Sequence, residues 1–142
     1  TRDSSEFMHT AASLSKKNLE RLRMTKKDGG DRSSWQKNKD YQLACYATKE
    51  EKFYDTYGRM WWEKPSPTIT TKFFSISNGR FAHPEEDRAI SLREGATLQT
   101  FPKSYRFIGT SIACVAKMIG NAVPPEFGRI LGDAIIKSVE KA

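Results

Sequence analysis

The segment SLREGATLQT, residues 91–100, carries the clearest structural signal in this chain of 142 residues. Ser91 is a favourable N-cap residue, and Glu94 follows it three positions later. This is the spacing of a capping box, in which the side chain of each residue accepts a hydrogen bond from the backbone N–H of the other. Pro102 restricts the residue before it to extended conformations and so ends the segment. The pattern predicts a helix over residues 91–100.

Helices are also predicted on both sides of this segment. Upstream, residues 13–24 are expected to form a short helix capped by Ser15. Downstream, residues 111–119 are expected to form a helix that Gly120 ends. A final helix is predicted over residues 126–140, because apolar residues recur there at helical spacing. They are Phe127, Ile130, Leu131, Ala134, Ile135 and Val139.

Residues 54–74 instead favour β-structure. YGRMWW is rich in aromatic residues, and TITTKFFSIS is rich in β-branched and aromatic ones, which are the types enriched in strands. Asn78-Gly79 is typical of a tight turn between paired strands. At least one of Trp61 and Trp62 is expected to pack in the core. The fold class predicted from these patterns is α+β, with a small, irregular, β-rich region beside the helices.

Positive charge is concentrated in the first part of the chain. The whole sequence has 24 basic and 17 acidic residues, a net charge of +7. Residues 1–80 hold 16 of the basic and 10 of the acidic residues, and residues 13–39 alone hold nine and three. Localised positive charge attracts polyanions, and nucleic acid is the obvious candidate. A solvated helical face is the alternative explanation, and charge alone does not decide between the two.

No complete catalytic or metal-binding pattern is present in the sequence. It contains neither a glycine-rich dinucleotide motif nor a triphosphate-binding motif. His9 and His83 lack metal-ligating neighbours at helical spacing. Cys45 and Cys114 are flanked by small apolar residues and are predicted to be core cysteines in a reducing, intracellular setting. No apolar run is long enough to cross a membrane. We therefore predict no catalytic residue and no metal ligand within this chain.

Two segments resemble the C-terminal motif blocks of the DNA (cytosine-5)-methyltransferases. HPEEDRAISLREGATLQTFPKSYRF, residues 83–107, has the pattern R-x-x-S-x-R-E-x-x-x-L-Q-x-F-P, and IGNAVPP, residues 119–125, follows at the family's usual distance. YGRMWWEKPSPTIT, residues 57–70, resembles the part of the family's target-recognition region that holds a Thr-Ile pair. The resemblance implies a DNA target-recognition region over residues 1–82 and closing motif blocks over residues 83–142.

The resemblance also implies what this chain lacks. In the family a large domain binds S-adenosylmethionine, and its cysteine, which follows a proline, attacks a cytosine flipped out of the duplex. Neither Cys45 nor Cys114 follows a proline, so the chain alone is predicted to be inactive. It is expected to be either a cut fragment or the small subunit of a split enzyme, acting in a bacterial or phage-encoded, cytoplasmic setting.

The implied partners are double-stranded DNA and the missing catalytic domain or subunit. The C-terminal helix is expected to pack on that large domain through its apolar face. If the domain is absent, that face needs another partner, and self-association with a second copy of the chain is the alternative.

Individual residues take roles from the resemblance. Loops in the family's recognition region enter the major groove, where arginine can bind guanine, while other side chains contact phosphate. The residues assigned to DNA contact are Lys26, Lys27, Gly29, Gly30, Arg32, Ser33, Ser34, Arg59, Thr68, Thr70, Lys72, Ser75, Ser77, Asn78 and Arg80.

Two smaller groups complete the assignment. Arg93 and Glu94 are implied to be a structural pair that organises the recognition region. Asn121, Ala122 and Val123 are implied to close the S-adenosylmethionine site, although Ala122 lacks the hydroxyl that many family members carry there. The alternative for Asn121 is a simple turn residue between two helices.

Two other functions remain open from the sequence. The first is a stand-alone, sequence-specific DNA-binding module without catalysis, such as a repressor. The second is a general binder of nucleic acid, including RNA, which the lack of an RNA-binding signature disfavours. Asn121 favours the enzyme part over both, because a cofactor-binding asparagine has no purpose in a protein that only binds DNA.

Overall fold

Residues 8–44 and 54–141 are described by the structure, which is a computed structural model. They form four α-helices and several short helical turns joined by loops. The helices are α1 (Lys16–Met24), α2 (Leu92–Leu98), α3 (Ile112–Asn121) and α4 (Pro125–Val139). Single turns of 3₁₀-helix occur at Arg32–Ser34 and at Ile76–Asn78. None of the helices in these ranges is both long and apolar enough to cross a membrane.

The predicted capping box is present at the start of α2. The Ser91 hydroxyl accepts from the Glu94 N–H at 3.2 Å, and Glu94 Oε2 accepts from the Ser91 N–H at 2.6 Å. The helix ends two residues before the predicted boundary. Gln99, which follows it, is buried, and its Nε2 donates to the Ile119 carbonyl on α3 at 3.1 Å. This side chain therefore joins two helices that pack against each other.

The other three helices lie close to their predicted ranges. Ser15 caps α1, as predicted, by accepting from the Asn18 N–H at 3.3 Å. Gly120 does not end α3, which continues to Asn121. A Cβ at Gly120 would lie 2.4 Å from the Thr70 carbonyl carbon, so the glycine lets α3 approach the backbone of residues 70–71. This close packing is the physical reason for a glycine at that position.

The prediction of an α+β fold with a β-rich region is wrong. Residues 8–44 and 54–141 contain no extended strand, only isolated bridges such as Arg59 with Ala82, so the fold is of the helical class. Within residues 68–77 the buried side chains are Ile69, Phe73 and Ile76, whose spacing of three to four is not the alternation of a strand. The types of residue in this segment favour strands, but the segment forms consecutive turns instead.

Local hydrogen bonds maintain these turns. The Phe73 N–H donates to the Thr70 carbonyl at 3.2 Å, the Ser75 N–H to the Lys72 carbonyl at 2.9 Å, and the Asn78 N–H to the Ser75 carbonyl at 3.1 Å. The hydroxyls of serine and threonine can also hydrogen-bond to nearby backbone groups, and such bonds compete with strand pairing. Asn78-Gly79 accordingly ends a turn of 3₁₀-helix rather than joining two strands.

One apolar core spans both regions that the sequence divides at residue 82. Its buried members are Met8, Met60, Ile69, Phe73, Phe81, Ile90, Leu92, Ala96, Phe107, Val115, Ala116 and Ile119. Neither Trp61, which is half-buried, nor Trp62, which is 55% exposed, is among them. Trp35 is buried instead, and its Nε1 donates to Thr25 Oγ1 at 3.1 Å. The division at residue 82 stays a prediction about function.

Arg59 links the end of α1 to a turn that precedes α2. Its side chain is fully buried. The guanidinium donates to the carbonyls of Leu22 (2.8 Å), Thr25 (3.2 Å), His83 (3.0 Å) and Glu86 (2.7 Å), and to the carboxylate of Asp87. A buried charge is stable only when it is paired and hydrogen-bonded, and this one has both kinds of partner. Arg59 therefore supplies the connections that a sheet was expected to provide.

We predict that Arg59→Lys lowers the free energy of unfolding by roughly 2–4 kcal/mol, because an ammonium group leaves some of these buried carbonyls without a donor. Urea denaturation followed by far-UV circular dichroism measures the change. Arg23→Lys is the matched control, since Arg23 contacts the same Asp87 at 3.8 Å from an exposed position. Its effect is expected within about 0.5 kcal/mol. Equal effects of the two variants would contradict the structural role of Arg59.

Candidate nucleic-acid interface

The residues assigned to DNA contact between Lys26 and Ser34, which we call the first recognition loop, are fixed against the segment 59–62. The Gly29 N–H donates to the Met60 carbonyl at 3.0 Å, and the Arg59 N–H donates to the Gly30 carbonyl at 2.8 Å. Gly29 has a φ of +87°, a conformation that favours glycine. A Cβ there would lie 1.7 Å from Trp61 Nε1. The glycine thus admits the indole of Trp61.

The residues assigned to DNA contact between Thr68 and Arg80, which we call the second recognition loop, are joined to the first loop by Arg80. Arg80 Nη1 donates to the carbonyls of Gly29 (2.9 Å), Gly30 (3.1 Å) and Arg59 (3.0 Å). Its Nε donates to Asp55 Oδ1 at 3.0 Å. The two loops are distant in sequence, and this one side chain brings them together.

Three of the arginines assigned to DNA contact are buried. Arg32, Arg59 and Arg80 have exposed fractions of 2%, 0% and 5%. Arg32 donates to Thr56 Oγ1 at 3.1 Å and lies over the ring of Tyr54 at 5.4 Å from its centroid. These guanidinium groups are engaged inside the chain, so their contact with DNA stays a prediction. The sequence patterns did not predict this burial. The acceptors of Arg59 and Arg80 are mostly backbone carbonyls, which no residue pattern reveals.

The outer surface of the two loops is polar and basic. Lys26, Ser33, Ser34, Thr68, Thr70, Lys72, Ser77 and Asn78 are exposed. Lys27 is also exposed, but its ammonium group contacts the Glu85 carbonyl and, at 3.0 Å, Asp87 Oδ1. The Ser75 hydroxyl lies 3.0 Å from that of Ser77.

The structure places part of this set around one cleft. The cleft has a volume of about 420 Å³, and its lining includes Thr68, Thr70, Asn78, Arg80 and Trp61. Lys26, Lys27, Ser33, Ser34 and Lys72 do not line it. The second loop therefore forms a concave surface, and the first loop lies beside it.

Glu94 pairs with Arg88 and not with its sequence neighbour Arg93. Arg88 Nη1 and Nη2 each donate to one Glu94 oxygen at 2.8 Å, which is a bidentate pair. Arg93 instead donates to the Tyr105 carbonyl at 3.1 Å. Arg88 is the first residue of the R-x-x-S-x-R-E pattern, and that signal could have identified it. Arg88, Ser91 and Glu94, three residues of this pattern, thus form one hydrogen-bonded unit.

This unit sets the ionisation of Glu94. Burial alone would raise the pKa of its carboxyl, but the hydrogen bonds from Arg88 and from the Ser91 backbone outweigh burial and lower the pKa to about 2. His83 lies nearby, with its Nδ1 accepting from the backbone N–H groups of Glu85 (3.2 Å) and Glu86 (3.0 Å). Burial and the charge of Arg88 lower the pKa of His83. His83 therefore organises the turn before α2 as a neutral acceptor.

The predicted cofactor segment forms an exposed edge between α3 and α4. Asn121 is exposed at the end of α3, Ala122 is half-buried, and Val123 is 64% exposed. The Glu126 N–H donates to Thr100 Oγ1 at 3.1 Å, which ties the start of α4 to the turn after α2. The segment exposes one amide and one apolar side chain, and neither of them lines the cleft beside the second loop.

The helix α4 has no buried residue. Its larger apolar side chains are 47–70% exposed, and they are Phe127, Ile130, Leu131, Ile135, Ile136 and Val139. Arg129 bonds Glu126 and Asp133 along the helix. Exposed apolar surface of this extent marks an interaction site.

In residues 8–44 and 54–141 no group of three His, Cys, Asp or Glu side chains could hold a metal ion. Cys114 is half-buried on α3, and Cys45 lies outside the described residues.

Comparison with known proteins identifies the family of this chain. The family model for C-5 cytosine-specific DNA methylase matches residues 2–137. The type II methylase M.HgiDII of Herpetosiphon aurantiacus is 42% identical over 139 residues, which are 95% of this chain and 38% of that protein. A putative type II methyltransferase of Oceanobacillus iheyensis is 33% identical over 130 residues, 92% of this chain and 27% of that protein.

The similarity extends to eukaryotes. DNA (cytosine-5)-methyltransferase 1 of Mus musculus is 43% identical over 77 residues, 54% of this chain and 5% of that protein. This chain belongs to the C-5 cytosine-specific DNA methylase family. It spans well under half of the length of the curated relatives described here.

The lowered pKa of Glu94 predicts that the free energy of unfolding of the chain falls at acid pH. Because the folded pKa of about 2 lies below the ordinary value of 4.5, the carboxylate stabilises the fold above pH 4.5, and this stability is lost as the pH falls towards 2. We expect Glu94→Gln to lower the free energy of unfolding by about 1–2 kcal/mol at pH 7, allowing for partial exposure.

Urea denaturation at several pH values tests this. Glu94→Gln should also flatten the pH dependence between 4.5 and 2. Arg129 also lowers the pKa of Glu126, but this pair is fully exposed and screened by solvent, so Glu126→Gln should change that dependence much less than Glu94→Gln does. An unchanged slope in Glu94→Gln would show that the pair with Arg88 does not control acid stability.

Proposed function

We propose that this chain provides DNA target recognition and part of the cofactor site for a DNA (cytosine-5)-methyltransferase that uses S-adenosylmethionine. The observation that supports this most directly is the joining of two distant loops by Arg80 into one exposed polar surface. Family membership supplies the reaction class. The relatives named type II methylases are bacterial, so we expect the whole enzyme to act on double-stranded DNA in a bacterial cytoplasm.

The DNA contacts follow from exposure. We expect the ammonium groups of Lys26 and Lys72 and the hydroxyls of Thr68 and Thr70 to bind phosphates, which position the protein on the duplex. Ser33, Ser34, Ser77 and Asn78 carry the short donors and acceptors suited to base edges. Arg32, Arg59 and Arg80 then act by shaping the loops, and Lys27, Ser75 and the two glycines by supporting them.

The cofactor proposal rests on the segment of Asn121, Ala122 and Val123. The exposed amide of Asn121 can both donate to and accept from the amino-acid end of S-adenosylmethionine, and Val123 offers an adjacent apolar surface. The bound cofactor supplies the methyl group that is transferred to cytosine. The remaining walls of the site, and the nucleophile, must come from the catalytic portion of the enzyme.

The helix α4 is proposed to bind that catalytic portion. Its apolar face is exposed along the whole helix, and it starts directly after the cofactor segment. A domain that covers α4 would therefore also lie against Asn121 and complete the cofactor site. Docking and cofactor-site closure are thus one event in this proposal.

The decisive experiment measures methyl transfer from labelled S-adenosylmethionine to mixed-sequence duplex DNA. This chain alone is expected to be inactive, and activity is expected when it is mixed with the catalytic portion of the Herpetosiphon relative, made separately. Ile135→Asp on α4 should abolish the activity of the mixture, while Lys137→Ala on the same helix should not. Activity from the chain alone would contradict the proposal. Inactivity of every mixture, with specific DNA binding retained, would favour the stand-alone binding module.

A second experiment tests the DNA surface by fluorescence anisotropy at several salt concentrations. Lys72→Ala removes one phosphate contact and should reduce the slope of log K against log salt by about 1. Lys137→Ala removes the same charge from α4 and should leave the slope unchanged. An equal effect of both variants would point to a general charge effect and not to a binding loop. Tight binding of single-stranded RNA in preference to duplex DNA would favour a general nucleic-acid binder.

A further inference from the structure

We propose that Trp61 is a positioning residue for DNA recognition, because its indole holds the two recognition loops at a fixed separation. The inference rests on the proposed function of those loops. It concerns a residue to which neither the sequence patterns nor the resemblance assigns a role in DNA binding.

Two cations lie over the indole of Trp61. The Arg80 guanidinium carbon is 4.1 Å from the ring centroid, and the Lys64 ammonium is 4.3 Å from it. Both distances are well within the range at which a cation is attracted to the face of an aromatic ring. Tryptophan is the strongest aromatic partner for such contacts. The indole thus covers the guanidinium that bridges the loops.

The edge of the same ring meets the first loop. A Cβ on Gly29 would lie 1.7 Å from Trp61 Nε1 and 2.1 Å from Cδ1. Only a glycine leaves room for the ring at this position. Trp61 therefore contacts the first loop at Gly29 and the second loop at Arg80, and it sets the distance between them.

The edges of the Arg80 guanidinium already have partners. Nη1 donates to three carbonyls, Nε donates to Asp55, and Nη2 lies 4.0 Å from Asp31. The face of the group is left for the indole. Loss of the indole would open the face of this buried cation to water beside Thr68, Thr70 and Asn78, which line the same cleft.

This geometry predicts which part of binding Trp61 controls. Phosphate contacts depend on exposed lysines and tolerate small shifts, whereas base contacts require fixed side-chain positions. Trp61 variants should therefore lose discrimination between DNA sequences more than overall affinity for DNA.

The test compares three variants of the full chain. A preferred duplex is first selected by the wild-type chain from a pool of random sequence, and the ratio of Kd values for a scrambled and the preferred duplex is then measured. We expect Trp61→Ala to reduce this ratio at least tenfold and Trp61→Phe, which keeps an aromatic face, to restore most of it. Trp62→Ala is the matched control, because Trp62 is adjacent but contacts Glu85 and His83 instead.

A second measurement needs no DNA. Hydrogen exchange at the amides of Gly29 and Arg59, which join the first loop to the segment 59–62, should accelerate at least tenfold in Trp61→Ala, with amides of α3 unchanged. If Trp61→Ala does not fold, Trp61→Leu takes its place in both measurements, since it keeps apolar volume without a ring face.

The outcomes separate the two proposals. If the wild-type chain selects no preferred duplex, the proposed function fails and the role of Trp61 in recognition fails with it. If the wild-type chain discriminates and the ring-less variant keeps both the Kd ratio and the exchange rates, the inference about Trp61 alone is overturned. As a further check, Gly29→Ala should weaken discrimination less in the Trp61→Ala background than in the wild type, because the clash with the indole is then removed.

Discussion

The buried guanidinium of Arg59 is the interaction on which the rest of the fold depends. Leu22 and Thr25 are buried at the end of α1. The Leu22 carbonyl accepts from the Thr25 N–H, but further donors to these two carbonyls must come from outside the helix. In the described residues no sheet supplies donors for them. Arg59 donates to both, and it also donates to the turn that leads into α2. Arg80 likewise donates to the carbonyls of Gly29 and Gly30, of which the second also accepts from the Arg59 N–H. Two arginines thus replace the backbone ladder of a sheet.

Local signals in the sequence predicted the helices well. The N-cap at Ser15 and the capping box of Ser91 and Glu94 depend on residues three positions apart, and the structure contains both. The β-rich region was predicted from the types of residue alone. The prediction was wrong because the side chains of residues 68–77 are buried at a spacing of three to four, and local hydrogen bonds form turns there. The burial of Arg59 and Arg80 could not be predicted, since their partners are mostly carbonyls far along the chain. Membership of the methylase family was predicted from motifs and is confirmed.

In the C-terminal part, α4 exposes an apolar face that nothing in the described residues covers. The segment proposed to hold the cofactor lies directly before this helix. Under the proposed function, one larger partner would bury the helix and enclose that segment. The family relatives are several times longer in two of the three comparisons and more than twice as long in the third, which fits this reading.

In the two recognition loops, the residues that hold the loops together are different from the residues that face outward. This division has an evolutionary consequence. The separation of the loops is set from inside by Arg80, Trp61 and the backbone of Gly29, while Ser33, Ser77 and Asn78 face outward. A substitution at an outward position changes what is presented to a duplex without disturbing the core. Under the proposed function, new target sequences are therefore accessible through single outward substitutions at little cost in stability. Among descendants of such a chain, we expect the outer residues to diverge long before the inner ones.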